Sequence, residues 1–283
     1  VLRSLRRAFG RRARGPRWRV AIRAGATPLI EDPSPQALAG FRALEPPPGI
    51  FWADPFLFRH PTGLWLFFEA CPEGALAGRI ECAPVDADGR VGRARPALEA
   101  PHHLSYPVVF EDAGEVYLLP ESHRAGGLDL YRALEFPVRW ERAWRLLEGP
   151  FVDVTPLRHA GAWWLFATPL AARASEEALH LYRAEGLRGP WRAHPANPIA
   201  RGALGGRGAG RILADGGRLI RPVQDGRAGY GSGLEFRLIE RLDEGGYAES
   251  PLAAIAPAAV PGAVGLHAYD RVDAVEVIDL RFA

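Results

Sequence analysis

Lysine and methionine are absent from this 283-residue chain, and asparagine occurs once, at Asn197. All 35 basic residues are therefore arginine. A bias this complete reads as the codon usage of a GC-rich genome, so no single arginine carries a presumption of a selected bidentate contact. No run approaches the roughly 18 apolar residues of a membrane span, and the first residues lack the apolar region of a signal peptide. Cysteine is nearly missing too: Cys71 and Cys82 fall on adjacent predicted strands, where reduced core thiols are expected in preference to a disulfide. A net charge of +2 generates no global field for nucleic acid, so no nucleic-acid partner is expected. The expected location is cytoplasmic, at most peripheral to a membrane.

The charge that is present lies unevenly. Residues 1–20 hold eight arginines, and no acid precedes Glu31. Leu2, Leu5 and Phe9 fall at helical spacing among these arginines, a basic amphipathic pattern suited to peripheral membrane contact. A solvated tail or interdomain linker over residues 1–16 is the simpler reading and is preferred.

Long helical periodicity is scarce, whereas short apolar runs broken by Gly, Pro and Asp recur. The repeats align around Phe51-Trp52-Ala53-Asp54-Pro55-Phe56-Leu57-Phe58. Proline after Asp54 predicts an extended residue at the opening of a strand. Tyr106-Pro107-Val108-Val109-Phe110 and Asp153-Val154-Thr155-Pro156-Leu157 repeat the arrangement. Each leads through a glycine turn into a second, very apolar strand, and a third strand follows. A weaker fourth copy begins near Arg211-Ile212-Leu213, and a fifth, Leu266-His267-Ala268-Tyr269, is truncated. The lone alternating strand Trp18–Ile22 can complete that last unit and remove exposed sheet edges. A spacing of about fifty residues suits propeller blades. The prediction is all-β: a five-bladed β-propeller closed by an N-terminal strand, spanning 17–283. Its blades fall near 51–84, 104–133, 151–184, 208–241, and 263–283 completed by 17–23. A β-sandwich explains the shared motif order less well.

The runs WADPFLF, HLSYPVVFEDAGEVYLLPES, GPWRAHPANPI and RPVQDGRAGYG resemble a bacterial family related to the N-terminal domain of plant glucosamine inositolphosphorylceramide transferase. That domain is similar to the five-bladed propellers of glycoside hydrolase families 43, 32, 68 and 117. The resemblance implies a glycan or glycoconjugate as ligand, and a formyltransferase-like or glycosyltransferase domain as neighbour. It also implies roles: Asp54 matches the general base of family 43, and Asp153 matches the acid that tunes its partner's pKa. The family's fourth-blade general acid has no counterpart, because no glutamate stands around Gly208-Ala209-Gly210-Arg211.

Propeller topology puts residues that open each innermost strand on the same face as residues that end the second strand. The first set is Asp54, Tyr106, Asp153, roughly Ala209, and His267; the second is Ala70, Glu121, Thr168 and Gln224, with Asp225 next. Glycosyl transfer to water needs a proton donor and a carboxylate on opposite sides of the bond. Asp54, Asp153, Glu121 and His267 are accordingly the catalytic candidates, with Glu121 or His267 as acid. Trp52, Tyr106, Thr168, Arg221, Gln224 and Asp225 are the substrate-binding candidates. Strand-start aspartates can equally bond neighbouring backbone amides, and Trp52, Tyr106 and Trp163 can equally be core. His102-His103 shows no recognisable metal spacing, and no cofactor is expected. Two alternatives stay open: a glycan-binding module without catalysis, and a protein-interaction propeller.

Overall fold

The computed structural model describes residues 17–283 apart from Ala26 and Leu76. The basic amphipathic stretch with Leu2, Leu5 and Phe9 lies outside the described residues. Five antiparallel sheets are present. The first blade runs Ile50–His60, Gly63–Pro72, Arg79–Val85 and Arg95–Leu98 from axis to rim. The second runs Ser105–Asp112, Glu115–Glu121, Gly127–Glu135 and Arg139–Glu148. Phe151–His159, Ala162–Pro169 and Ala178–Ala184 build the third. In the fourth, Leu204–Gly208 and Leu213–Asp215 both pair with Arg218–Asp225, which is followed by Gly233–Asp243 and Gly246–Ile255.

The fifth blade joins the two ends of the chain, as the lone N-terminal strand predicted. Arg17–Ala24 pairs antiparallel with Val275–Phe282, with Arg17 opposite Phe282 and Ala24 opposite Val275. Ring closure leaves no inner strand without a partner.

Packing follows from the two-residue period of a strand, which sends neighbouring side chains to opposite faces. Five separate apolar clusters fill the five clefts between blades. Phe67 packs toward the second blade and Phe68 toward the fifth; Trp163 packs toward the second and Trp164 toward the fourth. This double burial explains why the second strands read as continuous apolar runs. Cys71 and Cys82 are buried free thiols.

Two expectations about the innermost strands are corrected. Asp54 does not open a strand in extended conformation; it lies inside Ile50–His60 with φ +51°. Tyr106 (φ +45°) and Asp153 (φ +49°) share this left-handed geometry, and a register shift marks each position. Each is a β-bulge, which takes one residue out of the ladder. Pro55 and Pro107 follow directly, where the ladder asks for no N–H. The fourth inner strand begins at Leu204, earlier than expected, and is interrupted at Ala209–Ile212.

Candidate functional site

The bulges turn the axis end of three blades into a linked ring of acids. Asp279, from the last strand, accepts the Asp54 amide at 3.1 Å. Asp54 in turn accepts the Tyr106 amide at 3.2 Å, and Glu121 accepts the Asp153 amide at 3.2 Å. Each left-handed residue is thus held by a carboxylate of the preceding blade, which offsets the roughly 1–3 kcal/mol of such backbone strain.

The register explains which residues face this ring. Ala53 pairs with Glu69, Ser105 with Glu121 and Val152 with Thr168. Glu69, not Ala70, is therefore the first-blade equivalent of Glu121. Glu69 is buried and has His103 Nε2 at 3.8 Å. His103 Nδ1 accepts the Gly78 amide at 2.9 Å, so its proton sits on Nε2, toward Glu69. On the second blade His123 Nδ1 donates to Glu121 at 2.8 Å.

The fourth blade brings a cation. Arg207 Nε lies 2.5 Å from Asp153 Oδ2, and Gln224 Nε2 donates to the same oxygen at 2.9 Å and to the Gly208 carbonyl. Thr168, fully buried, donates to the Gly206 carbonyl and holds this strand against the third blade. From the fifth blade His267 approaches Asp279 Oδ2 to 2.6 Å, off the line of a good hydrogen bond, and Asp54 Oδ1 to 3.8 Å. Its ring stacks on Trp18 at 4.0 Å.

Electrostatics separates these acids. Burial pushes Asp54 up to about 6, with His267 opposing and Asp279 and Glu121 reinforcing the rise. Burial likewise pushes Asp153 up to about 8 against the opposing charge of Arg207. Glu69, with no cation among its main influences, is raised well above an ordinary glutamate by burial and by four neighbouring acids. Burial also works to raise Glu121, but the His123 hydrogen bond and the Arg207 charge outweigh it and hold Glu121 low. Burial disfavours a charged His267, yet Asp279 and Asp54 outweigh it and raise its pKa. One acid poised as anion beside others poised as neutral donors is the arrangement that acid–base chemistry and hydroxyl recognition both use.

Asp54, Glu121, Asp153, Gln224 and His267 therefore converge. Five other expected residues do not join them as substrate contacts, and one is Thr168, whose buried hydroxyl is spent on the Gly206 carbonyl. Tyr106 is buried, and its hydroxyl spans the axis to Thr155 Oγ1 at 2.9 Å and Gly210. Trp52 packs on Phe68 with centroids 4.7 Å apart. Arg221 is buried inside the fourth blade, bonded to Glu249 at 2.8 and 2.7 Å and to the Gly205 carbonyl. Asp225 is taken by Arg227 at 2.9 and 2.8 Å. Glu69, Arg207 and Asp279 were not expected from sequence.

Among the described residues, Asp54, His267 and Asp279 alone offer three metal-type ligand atoms within 4.8 Å of one another. Asp279 already accepts the amides of Asp54, His267 and Ala268, so its first task is structural. Below the acids Arg211 closes the axis, donating to the carbonyls of Leu57 and Val109 and to Asp270.

Comparisons with known proteins agree with this architecture. A family 117 glycoside hydrolase from Zobellia galactanivorans superposes with TM-score 0.57 at 12% identity, over 94% of this chain and 90% of that one. A family 43 β-1,3-galactosidase with galactodeoxynojirimycin gives 0.55 at 12% identity, over 74% and 81%. These two likenesses concern the fold. Closer in sequence, glucosamine inositolphosphorylceramide transferase 1 of Oryza sativa subsp. japonica is 36% identical over 210 residues, 72% of this chain and 28% of that protein. The Arabidopsis thaliana protein of the same name is 36% identical over 208 residues, 71% and 27%. The chain thus spans little more than a quarter of these relatives, which are plant proteins and lend no support to the expected bacterial family. The family described as glucosamine inositolphosphorylceramide transferase 1, N-terminal, matches residues 41–262, and the chain belongs to it.

Proposed function

We propose that the ring of acids at the axis binds one sugar unit of a glycan or glycoconjugate and presents it to a glycosyltransferase domain. One observation carries this reading. Asp54 and Asp153 each commit Oδ2 to the protein, whereas neither Oδ1 accepts a hydrogen bond from any described residue. Anchored carboxylates with an uncommitted oxygen suit neighbouring sugar hydroxyls, and a site built for hydroxyls strongly rejects ligands that lack them. The names of the plant relatives and of the fold neighbours all concern carbohydrate chemistry.

Glycosyl transfer at the same ring of acids is the second reading, favoured by the raised Asp54 and Glu69 carboxyls. Set against it, the fourth blade contributes Arg207 where the family 43 likeness asks for an acid. Glycan-array binding of the wild type, Asp54→Asn and Asp153→Ala tests the first reading: binding by the wild type, lost in Asp153→Ala with the melting temperature retained, is the expected result. A folded wild type that binds no glycan overturns it. Turnover of a bound glycoside, abolished in Asp54→Asn, establishes the second.

A further inference from the structure

One half-exposed residue near the ring of acids is explained neither by packing nor by the acids. Tyr230 stands in the loop over residues 226–232, between the second and third strands of the fourth blade. The loop is well tied. Gly226 N donates to the Ala203 carbonyl at 2.7 Å, Ser232 Oγ to the Asp225 carbonyl at 2.5 Å, and Leu266 N to the Gly231 carbonyl at 2.8 Å. Gly231, at φ +67°, lies so close to Trp18 that a Cβ there would meet the indole at 2.7 Å. Trp18 is itself stacked on His267. The support is rigid, yet Tyr230 leaves 50% of its surface open. Its hydroxyl has no hydrogen-bond partner among the described residues.

The position of the ring is defined by two members of the site. His267 stands edge-to-face with it at 5.1 Å, and the Arg207 guanidinium lies over one face of the ring, 5.5 Å from its centroid, so a ligand stacks on the other face. His267 is the neighbour of Asp54, and Arg207 that of Asp153. Tyr230 therefore contacts the direct neighbours of both acids whose Oδ1 atoms are uncommitted. Its hydroxyl pKa is raised well above an ordinary tyrosine, chiefly by its surroundings, with Arg207 opposing and Asp54 and Asp153 adding to the rise.

We infer that Tyr230 is the stacking wall of the sugar site: a pyranose lays its C–H face on the open ring while adjacent hydroxyls on its edge reach Oδ1 of Asp54 and of Asp153. This rests on the sugar-binding reading above and narrows the ligand class. The ligand is a ring sugar with a contiguous face of C–H groups and two neighbouring free hydroxyls; an acyclic polyol or an inorganic anion lacks that face. An aromatic ring held on a braced loop supplies apolar contact with only two side-chain torsions to order, and such bracing lowers the entropic cost of binding.

The test uses a glycan array carrying terminal galactosyl, glucosyl, mannosyl and glucosaminyl units, read with the wild type, Tyr230→Phe, Tyr230→Trp, Tyr230→Leu and Tyr230→Ala. Binding is expected to weaken several-fold to about tenfold in the alanine variant, while the aromatic variants stay near the wild type. Should alanine lower the melting temperature, the leucine variant decides, because it keeps the bulk without the π-face. Unchanged binding by both Ala and Leu variants, on an array to which the wild type binds, overturns the stacking wall and leaves the sugar reading standing. A folded wild type that binds nothing on the array overturns both.

Discussion

An aspartic acid that keeps its proton to about pH 6 in the fold costs the folded state stability as the pH rises from the ordinary aspartate range to that value. Asp54 is such a group: an ordinary aspartate, near 3.8, describes it unfolded, and burial raises it to about 6 in the fold. Between these values the native chain binds the additional proton, so stability falls as pH increases. The difference amounts to roughly 3 kcal/mol when both states are ionised. Asp153, raised to about 8, extends the same slope upward. Asp54→Asn keeps an oxygen for the Tyr106 amide and removes the ionisation. Urea unfolding from pH 4 to 8 is expected to show it equal to the wild type at the acid end and more stable at pH 8. A variant less stable than wild type at pH 8 contradicts the assignment. Much of this residue-level picture was legible in sequence, because the repeats placed Asp54, Asp153, Glu121, Gln224 and His267 at corresponding positions. Alignment of the repeats points to Ala70 in place of Glu69, because a bulge shifts the facing register in a way that alternation alone does not reveal. Arg207 was hidden by the all-arginine composition, and Asp279 acts from the strand most distant in sequence from Asp54.

Among the elements, the interrupted inner strand of the fourth blade is the one that sequence represented least well. Gly205-Gly206-Arg207-Gly208-Ala209-Gly210 has no alternation and reads as loop, so the strand was expected from Arg211. Its glycines answer instead to close approach of backbone. Gly210 has φ +142°, and a Cβ there would fall 1.8 Å from the Tyr269 carbonyl oxygen. The Tyr106 hydroxyl accepts the Gly210 amide at 2.7 Å and donates to its carbonyl at 3.1 Å. The pairing of the fourth and fifth blades, with Tyr269 N donating to the Ala209 carbonyl at 2.7 Å, depends on this contact. Gly210→Ala is expected to cost roughly 4 kcal/mol or more, since neither backbone can yield without breaking these bonds. Urea midpoints measure it, and a loss below about 1 kcal/mol shows that the two blades are less closely joined than described. By contrast, the three well-formed repeats were readable because each keeps its apolar second strand and its glycine turn.

For the whole molecule, the axis is polar and the clefts between blades are apolar. Arg211 links the fourth blade to carbonyls of the first and second and to Asp270 of the fifth, and Tyr106 links the second to the third and fourth. Propeller order was legible in the sequence because strand periodicity repeats locally; these cross-axis bonds were not, since they join residues as far apart as Leu57 and Arg211. The pairing of Arg17 with Phe282 has one more consequence. Residues opposed in an antiparallel ladder lie about 5 Å apart, so the circle of blades has a seam but no geometrical beginning. A short glycine linker can join Phe282 to Arg17, and new ends can be opened at the exposed turn His60-Pro61-Thr62-Gly63. Such a circular permutant is expected to fold with the far-ultraviolet spectrum and the cooperative melt of the parent; a permutant that stays unfolded shows that the order in which blades are made matters as well as their contacts.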